Sequence, residues 1–264
     1  MQRAADELGV NVWQPETLND EAATAALRGF APDLLVVCDY GEILKPAALA
    51  AARLGGVNLH GSLLPKYRGA APVQWAVLNG DAETGSTVIQ MTAGLDAGPM
   101  LGVARTAIDP DESAGELEAR LALAGAELTL SVVDALAAGT AQALPQDKSQ
   151  ASKARRLVKE DGMIDWSRSA AAIKNQVRGL DPWPRAATVW RRSTGEPLAL
   201  ILRRVQTVDA AGEPGTIVET GSRLVIAAGA AAVEIVSLQP AGKRAMTAAE
   251  FLRGYVLKAG ERLG

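Results

Sequence analysis

The only histidine of the chain, His60, stands two residues after Asn58 in the run Asn58-Leu59-His60-Gly61-Ser62-Leu63-Leu64-Pro65. On an extended strand, residues two apart project to the same face. A carboxamide and an imidazole side by side at a strand end can both donate to an oxygen that gains negative charge. An imidazole also takes or gives a proton near neutrality. A plainer reading makes His60 a structural residue beside a turn. Another polar group, Asp96, lies in Gly94-Leu95-Asp96-Ala97-Gly98, where the flanking glycines would let the backbone turn tightly next to a ligand. On its own, Asp96 also reads as a turn former.

These groups need elements to position them. Residues 34–38 form a continuous apolar run, the mark of a buried strand, and Cys38 within it is expected to be a buried, inert thiol. Residues 1–8 read as the end of a helix closed by Gly9, 11–14 as a short strand and 20–28 as an Ala-rich helix. A helix over 46–53, a strand over 56–59, a helix over 71–78 and a strand over 87–91 follow. Ser113 and Glu116 have capping-box spacing and open a long helix with Leu117, Leu121 and Leu128 inward. Strands alternating with helices predict a doubly wound, mostly parallel α/β sheet.

The pattern changes further on. Residues 144–160 are polar and read as a linker between a first domain, 1–143, and a second, 161–264. After a short helix over 170–178 come short apolar runs at 188–190, 198–204, 215–218, 224–227 and 233–238, separated by Gly or Pro. Such spacing predicts a small β-barrel, with a closing helix over 248–253. Trp166 and Trp183 read as packing residues, and residues 181–184 as a rigid turn.

The net charge of −3 hides an asymmetry. Residues 1–150 hold 9 Lys and Arg against 19 Asp and Glu, a net −10; residues 151–264 hold 18 against 11, a net +7. A basic second part suggests a polyanionic partner. One cysteine excludes an internal disulfide framework, and one His with one Cys argues against a zinc site. No apolar run approaches the roughly 20 residues of a membrane span, and the start is no signal peptide, so no membrane partner and a cytoplasmic location are expected.

Several longer runs carry a resemblance. They are His60-Gly61-Ser62-Leu63-Leu64-Pro65, then Arg68-Gly69-Ala70-Ala71-Pro72, then the stretches 79–85 and 94–98. Together with 159–166 and Leu238-Gln239-Pro240-Ala241-Gly242-Lys243-Arg244, they resemble the folate-dependent formyltransferase family, most of all its tRNA-acting branch. The resemblance implies a formyltransferase-type α/β sheet followed by an OB-like domain that helps hold tRNA. It implies transfer of a formyl group from 10-formyltetrahydrofolate to the amine of methionyl initiator tRNA, without a metal. Asn58, His60 and Asp96 match the family's catalytic set. Ser62, Leu63, Leu64 and Pro65 match its folate-binding segment, and Tyr40, Gly41, Ile43 and Leu44 would line the pterin slot. Both segments follow strands at the end where open α/β sheets place ligands. Arg203, Arg204, Lys243 and Arg244, with Arg191 and Arg192, are candidate phosphate contacts. A monomer is expected.

The chain departs from the family at its start, where the resemblance would place a strand, a helix, a second strand and a basic loop. Without the first strand, the apolar run 34–38 is expected to have an open edge and 11–14 to lack a sheet neighbour. A start placed too late and a truncated RNA-binding paralogue both fit this. A formyltransferase for an amino-sugar nucleotide or another small amine is a further alternative, since it would share the His60 region.

Overall fold

The structure, a computed structural model, describes residues 2–192 and 195–264. Its first half runs α1 (Gln2–Glu7), α2 (Glu21–Gly29), β1 (Leu35–Cys38), α3 (Pro46–Leu49), β2 (Gly56–His60), β3 (Arg68–Gly69), α4 (Pro72–Asn79), β4 (Glu83–Gln90), β5 (Met100–Ala107) and α5 (Ala114–Ala137). Four strands make one sheet in the order β1-β2-β4-β5. The expected mostly parallel sheet is a mixed one. Only β1 and β2 pair in parallel, while β2–β4 and β4–β5 are antiparallel. The loop 91–99 between β4 and β5 is too short for the crossover of a dozen or more residues that a parallel return requires.

The run 34–38 corrects another expectation. β1 is the edge of the sheet, with alternate residues exposed; Val36 is 54% exposed, and Cys38 is exposed rather than buried. The outer edge of β1 has no strand neighbour among the described residues. Partial burial of the sulfur and the charge of Asp39 push the Cys38 thiol up, so it stays a poor thiolate. Residues 11–14 form no strand, and Val12 and Trp13 are exposed.

Helix α5 sets which face of β2 is free. It starts on a capping box: Glu116 N–H donates to Ser113 Oγ (3.3 Å) and Ser113 N–H to Glu116 Oε2 (2.8 Å). Leu117 and Leu121 are buried, and Gly125 passes over Leu59 so closely that a Cβ there would stand 2.8 Å from Leu59 Cδ2. The helix covers the Leu59 face of β2. Asn58 and His60 alternate with Leu59 and therefore project from the other face.

The segment expected to be a linker is docked. Its strand β6 (Lys153–Ala154) pairs in parallel with β3. Beyond it come α6 (Ala170–Gly179), β7 (Ala186–Trp190), β8 (Leu198–Val208), β9 (Ile217–Glu219), β10 (Leu224–Ala227), β11 (Ala232–Pro240), β12 (Met246–Thr247) and α7 (Ala248–Gly254). The strands form a curled antiparallel sheet, ordered β7-β8-β11-β10-β9 with β12 on β11. The last residues run between its two ends: Leu263 bridges to Trp190 and Arg262 to Thr216. Ile173, Leu200, Leu224, Leu238 and Phe251 fill the interior. Trp166 is buried there and donates Nε1–H to Thr188 Oγ1 (3.1 Å). Trp183 is 52% exposed, against expectation, because its turn joins α6 to β7 across the surface.

Candidate active site

Asn58 and His60 lie at the C-terminal end of β2, with β1 on one side and β4 on the other. Among the described residues, the half-buried carboxamide of Asn58 makes no hydrogen bond within the protein, so its N–H groups are free to donate. His60 is 5% exposed. Its Nε2 lies 2.9 Å from the carbonyl oxygen of Tyr67. A carbonyl only accepts, so Nε2 carries the proton, and Nδ1 is the nitrogen left with a lone pair in the neutral ring. Nδ1 stands 3.7 Å from Asp96 Oδ2.

Asp96 is held from several directions. Its Oδ2 accepts the N–H of Gly69 (2.8 Å). Gln146 donates Nε2–H to the carbonyls of Asp96 (2.8 Å) and Gly98 (2.7 Å). The tight bend expected of the flanking glycines falls on Asp96 itself, whose φ is 46°. Gly98 is needed for room instead, since a Cβ there would lie 1.8 Å from the Gln90 carbonyl oxygen.

Tyr67, Gln146 and Ser152, which no sequence pattern singles out, hold the groups around His60 and Asp96. Tyr67 presents its carbonyl to His60 with φ 62°. Its N–H donates to Ser152 Oγ (2.9 Å), its hydroxyl donates to Asp81 Oδ2 (2.9 Å), and Asn79 Nδ2–H donates to that hydroxyl (3.0 Å). Burial pushes the Tyr67 phenol up, so it stays a neutral donor. These contacts join residues far apart in sequence, and the one on His60 uses a backbone atom. No local spacing announces them.

The two candidate folate segments both begin at this strand end. Cys38 pairs with Leu59, which puts the loop after β1 beside His60. In the loop after β2, Ser62 and Leu64 turn inward. Ser62 Oγ–H donates to Lys66 O (2.6 Å), and Thr87 Oγ1–H donates to Ser62 O (2.7 Å). Leu63 and Pro65 are half-buried. In the loop after β1, Tyr40, Gly41 and Ile43 are exposed and Leu44 is buried. Asn19 pins this loop through the Ile43 carbonyl (2.9 Å) and the Lys45 N–H (2.7 Å).

The candidate phosphate contacts are spread out. Arg203 faces Asp181 at 3.2 Å. With exposed Arg204 it lines a cleft of about 340 Å³ shared with Asp109, Asp111, Lys174 and Arg178. Lys243 and Arg244 lie in the turn between β11 and β12. The Lys243 ammonium has no partner among the described residues, and Arg244 reaches Glu250 at 3.3 Å. Arg191 and Arg192 donate to the carbonyls of Gly264 and Glu196. Among the described residues, no three of His, Cys, Asp and Glu gather as metal ligands, and no helix is long and apolar enough to cross a membrane.

Residues 2–133 match the formyl transferase family, and residues 156–256 match the formyl transferase C-terminal domain. Methionyl-tRNA formyltransferase from Roseiflexus castenholzii is 45% identical over 100% of this chain and 84% of its own length. The protein of that name from Parvibaculum lavamentivorans is 45% identical over 98% of this chain and 83% of its own. Among solved structures, the fold is similar to HypX from Aquifex aeolicus in complex with tetrahydrofolic acid. The TM-score is 0.65 at 16% identity, covering 90% of this chain and only 41% of that one. It is also similar to WlaRD, a sugar 3N-formyl transferase solved with dTDP and 5-N-formyl-THF. There the TM-score is 0.67 at 15% identity, over 92% of this chain and 82% of that one. This chain belongs to the formyl transferase family and, within it, to the methionyl-tRNA formyltransferases.

Proposed function

We propose that the chain transfers a formyl group from 10-formyltetrahydrofolate to the amino group of methionyl initiator tRNA. The observation that carries this reading is the free amide of Asn58 beside a His60 Nδ1 that faces Asp96, all at one strand end. The folate supplies the formyl carbon as an amide on its N10. Asn58 donates to the formyl oxygen as negative charge develops there, while His60, expected as a second donor, has its Nε2–H on the Tyr67 carbonyl and no proton on Nδ1 until it takes one from the amine. His60 Nδ1 takes a proton from the attacking amine, and Asp96 stabilises the imidazolium that results. His60 then returns that proton to the leaving N10 nitrogen, so no net proton is left on the protein.

The residues fit the two substrates. Leu63, Pro65, Tyr40, Gly41 and Ile43 offer half-buried or exposed groups to a pterin. Ser62, Leu64 and Leu44 are turned inward and shape the slot behind them. Lys243 is the freest of the candidate phosphate contacts, while Arg203 and Arg244 are partly neutralised by acids and Arg204 shares its cleft with Asp111 and Glu116. The net +7 of residues 151–264 suits a tRNA better than a small sugar nucleotide. In this reading residues 1–143 are the catalytic domain and residues 161–264 the tRNA-holding domain, and the protein acts in the cytoplasm.

The test is formyl transfer by the 264-residue chain, with 10-formyltetrahydrofolate and charged initiator methionyl-tRNA at low salt. Formylmethionyl-tRNA from wild type and none from His60→Ala is the expected result. Turnover with an amino-sugar nucleotide and none with the tRNA would overturn the substrate assignment. Binding of tRNA without transfer, unchanged by His60→Ala, would overturn catalysis.

A further inference from the structure

The segment between the two halves reaches into the site in a way that its linker-like sequence conceals. Gln146 Oε1 accepts from Arg68 Nε (3.1 Å) and Nη2 (2.6 Å). Its Nε2 donates to the carbonyls of both Asp96 and Gly98. This amide has one possible orientation, since flipping it would set an NH2 against a guanidinium and an oxygen against two carbonyls. Six residues on, Ser152 Oγ accepts the N–H of Tyr67, and Ser152 O accepts the N–H of Arg68. Tyr67 in turn carries the carbonyl that fixes His60. One stretch of chain therefore touches the supports of both catalytic side chains.

We infer that Gln146 is a positioning residue for Asp96, setting the carboxylate against His60 Nδ1. The physical need is specific. A non-glycine residue at φ 46° occupies a sparsely populated region and stays there only when its surroundings hold it. Asp96 lies in an otherwise exposed turn, with residues 92–95 and Ala97 all exposed, so packing alone gives it little support. The two amide hydrogen bonds from Gln146 grip the turn on its backbone. The Gly69 N–H then orients the carboxylate itself. Through Arg68, the same amide ties the turn to β3, and β3 is paired with β6 of the same joining segment.

This inference rests on the proposed transfer reaction, but its test does not depend on turnover. His60 is the only histidine, so ring nitrogen and Cε1–H signals in NMR belong to it alone. Gln146→Ala and Gln146→Glu are compared with wild type. The glutamate keeps an acceptor for Arg68 but places a carboxylate against two carbonyls, so it removes the donor half selectively. Both variants are expected to shift or broaden the Nδ1 and Cε1–H signals and to leave the Nε2 signal, held by Tyr67, in place. In turnover, both are expected to lower kcat about 100-fold with KM for either substrate within about twofold. Unmoved His60 signals in a folded Gln146→Glu variant would overturn the inference, whether or not the chain transfers formyl. So would a wild-type kcat, or a change confined to KM.

Discussion

The carboxylate of Asp96 and Nδ1 of His60 stand 3.7 Å apart, too far for a direct hydrogen bond, while Nε2 of the same ring is committed to the Tyr67 carbonyl. This assigns the two faces of the imidazole different duties. Nε2 holds the ring; Nδ1 faces the carboxylate across a gap in which a donor can reach both. The neutral ring is expected to be the Nε2–H tautomer. Two-dimensional 15N NMR of the single histidine at alkaline pH reads this directly. A dominant Nδ1–H form would mean that the Tyr67 carbonyl does not hold the ring and that the proton path is drawn on the wrong nitrogen.

Asn58 provides the cleanest separation of binding from chemistry. Its amide has no structural partner among the described residues, so its removal leaves no buried group stranded. Asn58→Ala is expected to leave thermal stability near wild type and to lower kcat by about 10²–10³, the usual cost of losing one oxyanion donor. KM for the folate should change little, because the interaction strengthens only as charge develops. An effect confined to KM would assign Asn58 to substrate binding instead.

A pH-dependent contribution to stability sits where the joining segment meets the second half. Asp161 accepts from both terminal nitrogens of Arg155 and from the N–H of Val158. The Arg155 guanidinium, itself 5.2 Å from the centroid of the Trp75 ring, holds the Asp161 carboxyl below the usual carboxylate range. A depressed folded-state pKa stabilises above the unfolded value, about 3.9, and the stabilisation is lost as pH falls through the folded one. Asp161→Asn is expected to cost about 1 kcal/mol near pH 7, discounted because Arg155 is half-exposed, or about 2–4 °C in Tm. The gap between variant and wild type should narrow as pH drops below about 4. A gap that stays constant to pH 3 would show that the ion pair contributes nothing of its own.

What the sequence makes legible follows from how local each signal is. Asn58 and His60 are two apart, and strand alternation alone puts them on one face. Ser113 and Glu116 are three apart, and both capping hydrogen bonds are formed. Asp96 is legible only through the family resemblance, and the structure brings it to His60. What stayed hidden was non-local. Gln146 reaches residues 48 and 50 positions away, and Ser152 one 85 positions away. Strand β5 reads Met100-Leu101-Gly102-Val103-Ala104-Arg105-Thr106-Ala107, with too weak an apolar pattern to announce itself. The exposure of β1 is hidden in the sequence for a related reason. An apolar run shows that a strand can be covered, but its neighbours decide whether it is.

That edge carries the last prediction. Among the described residues β1 pairs with β2 alone, and Val36 on it and Phe30 ahead of it are exposed apolar groups. A flat apolar edge is a template for pairing with another chain, and a lysine on it opposes that pairing by charge and hydration. Val36→Lys changes a side chain that is already more than half exposed, so its cost in folding should fall within about 0.5 kcal/mol. The variant is expected to stay monomeric in light scattering to a higher concentration than wild type does, with reductant present to keep Cys38 out of the comparison. Formyl transfer should be unaffected, since Val36 pairs with Val57, three residues short of His60 along β2. Equal association of the two proteins would show that this edge does not drive it, and would move attention to the exposed Leu8, Val10 and Trp13 ahead of it.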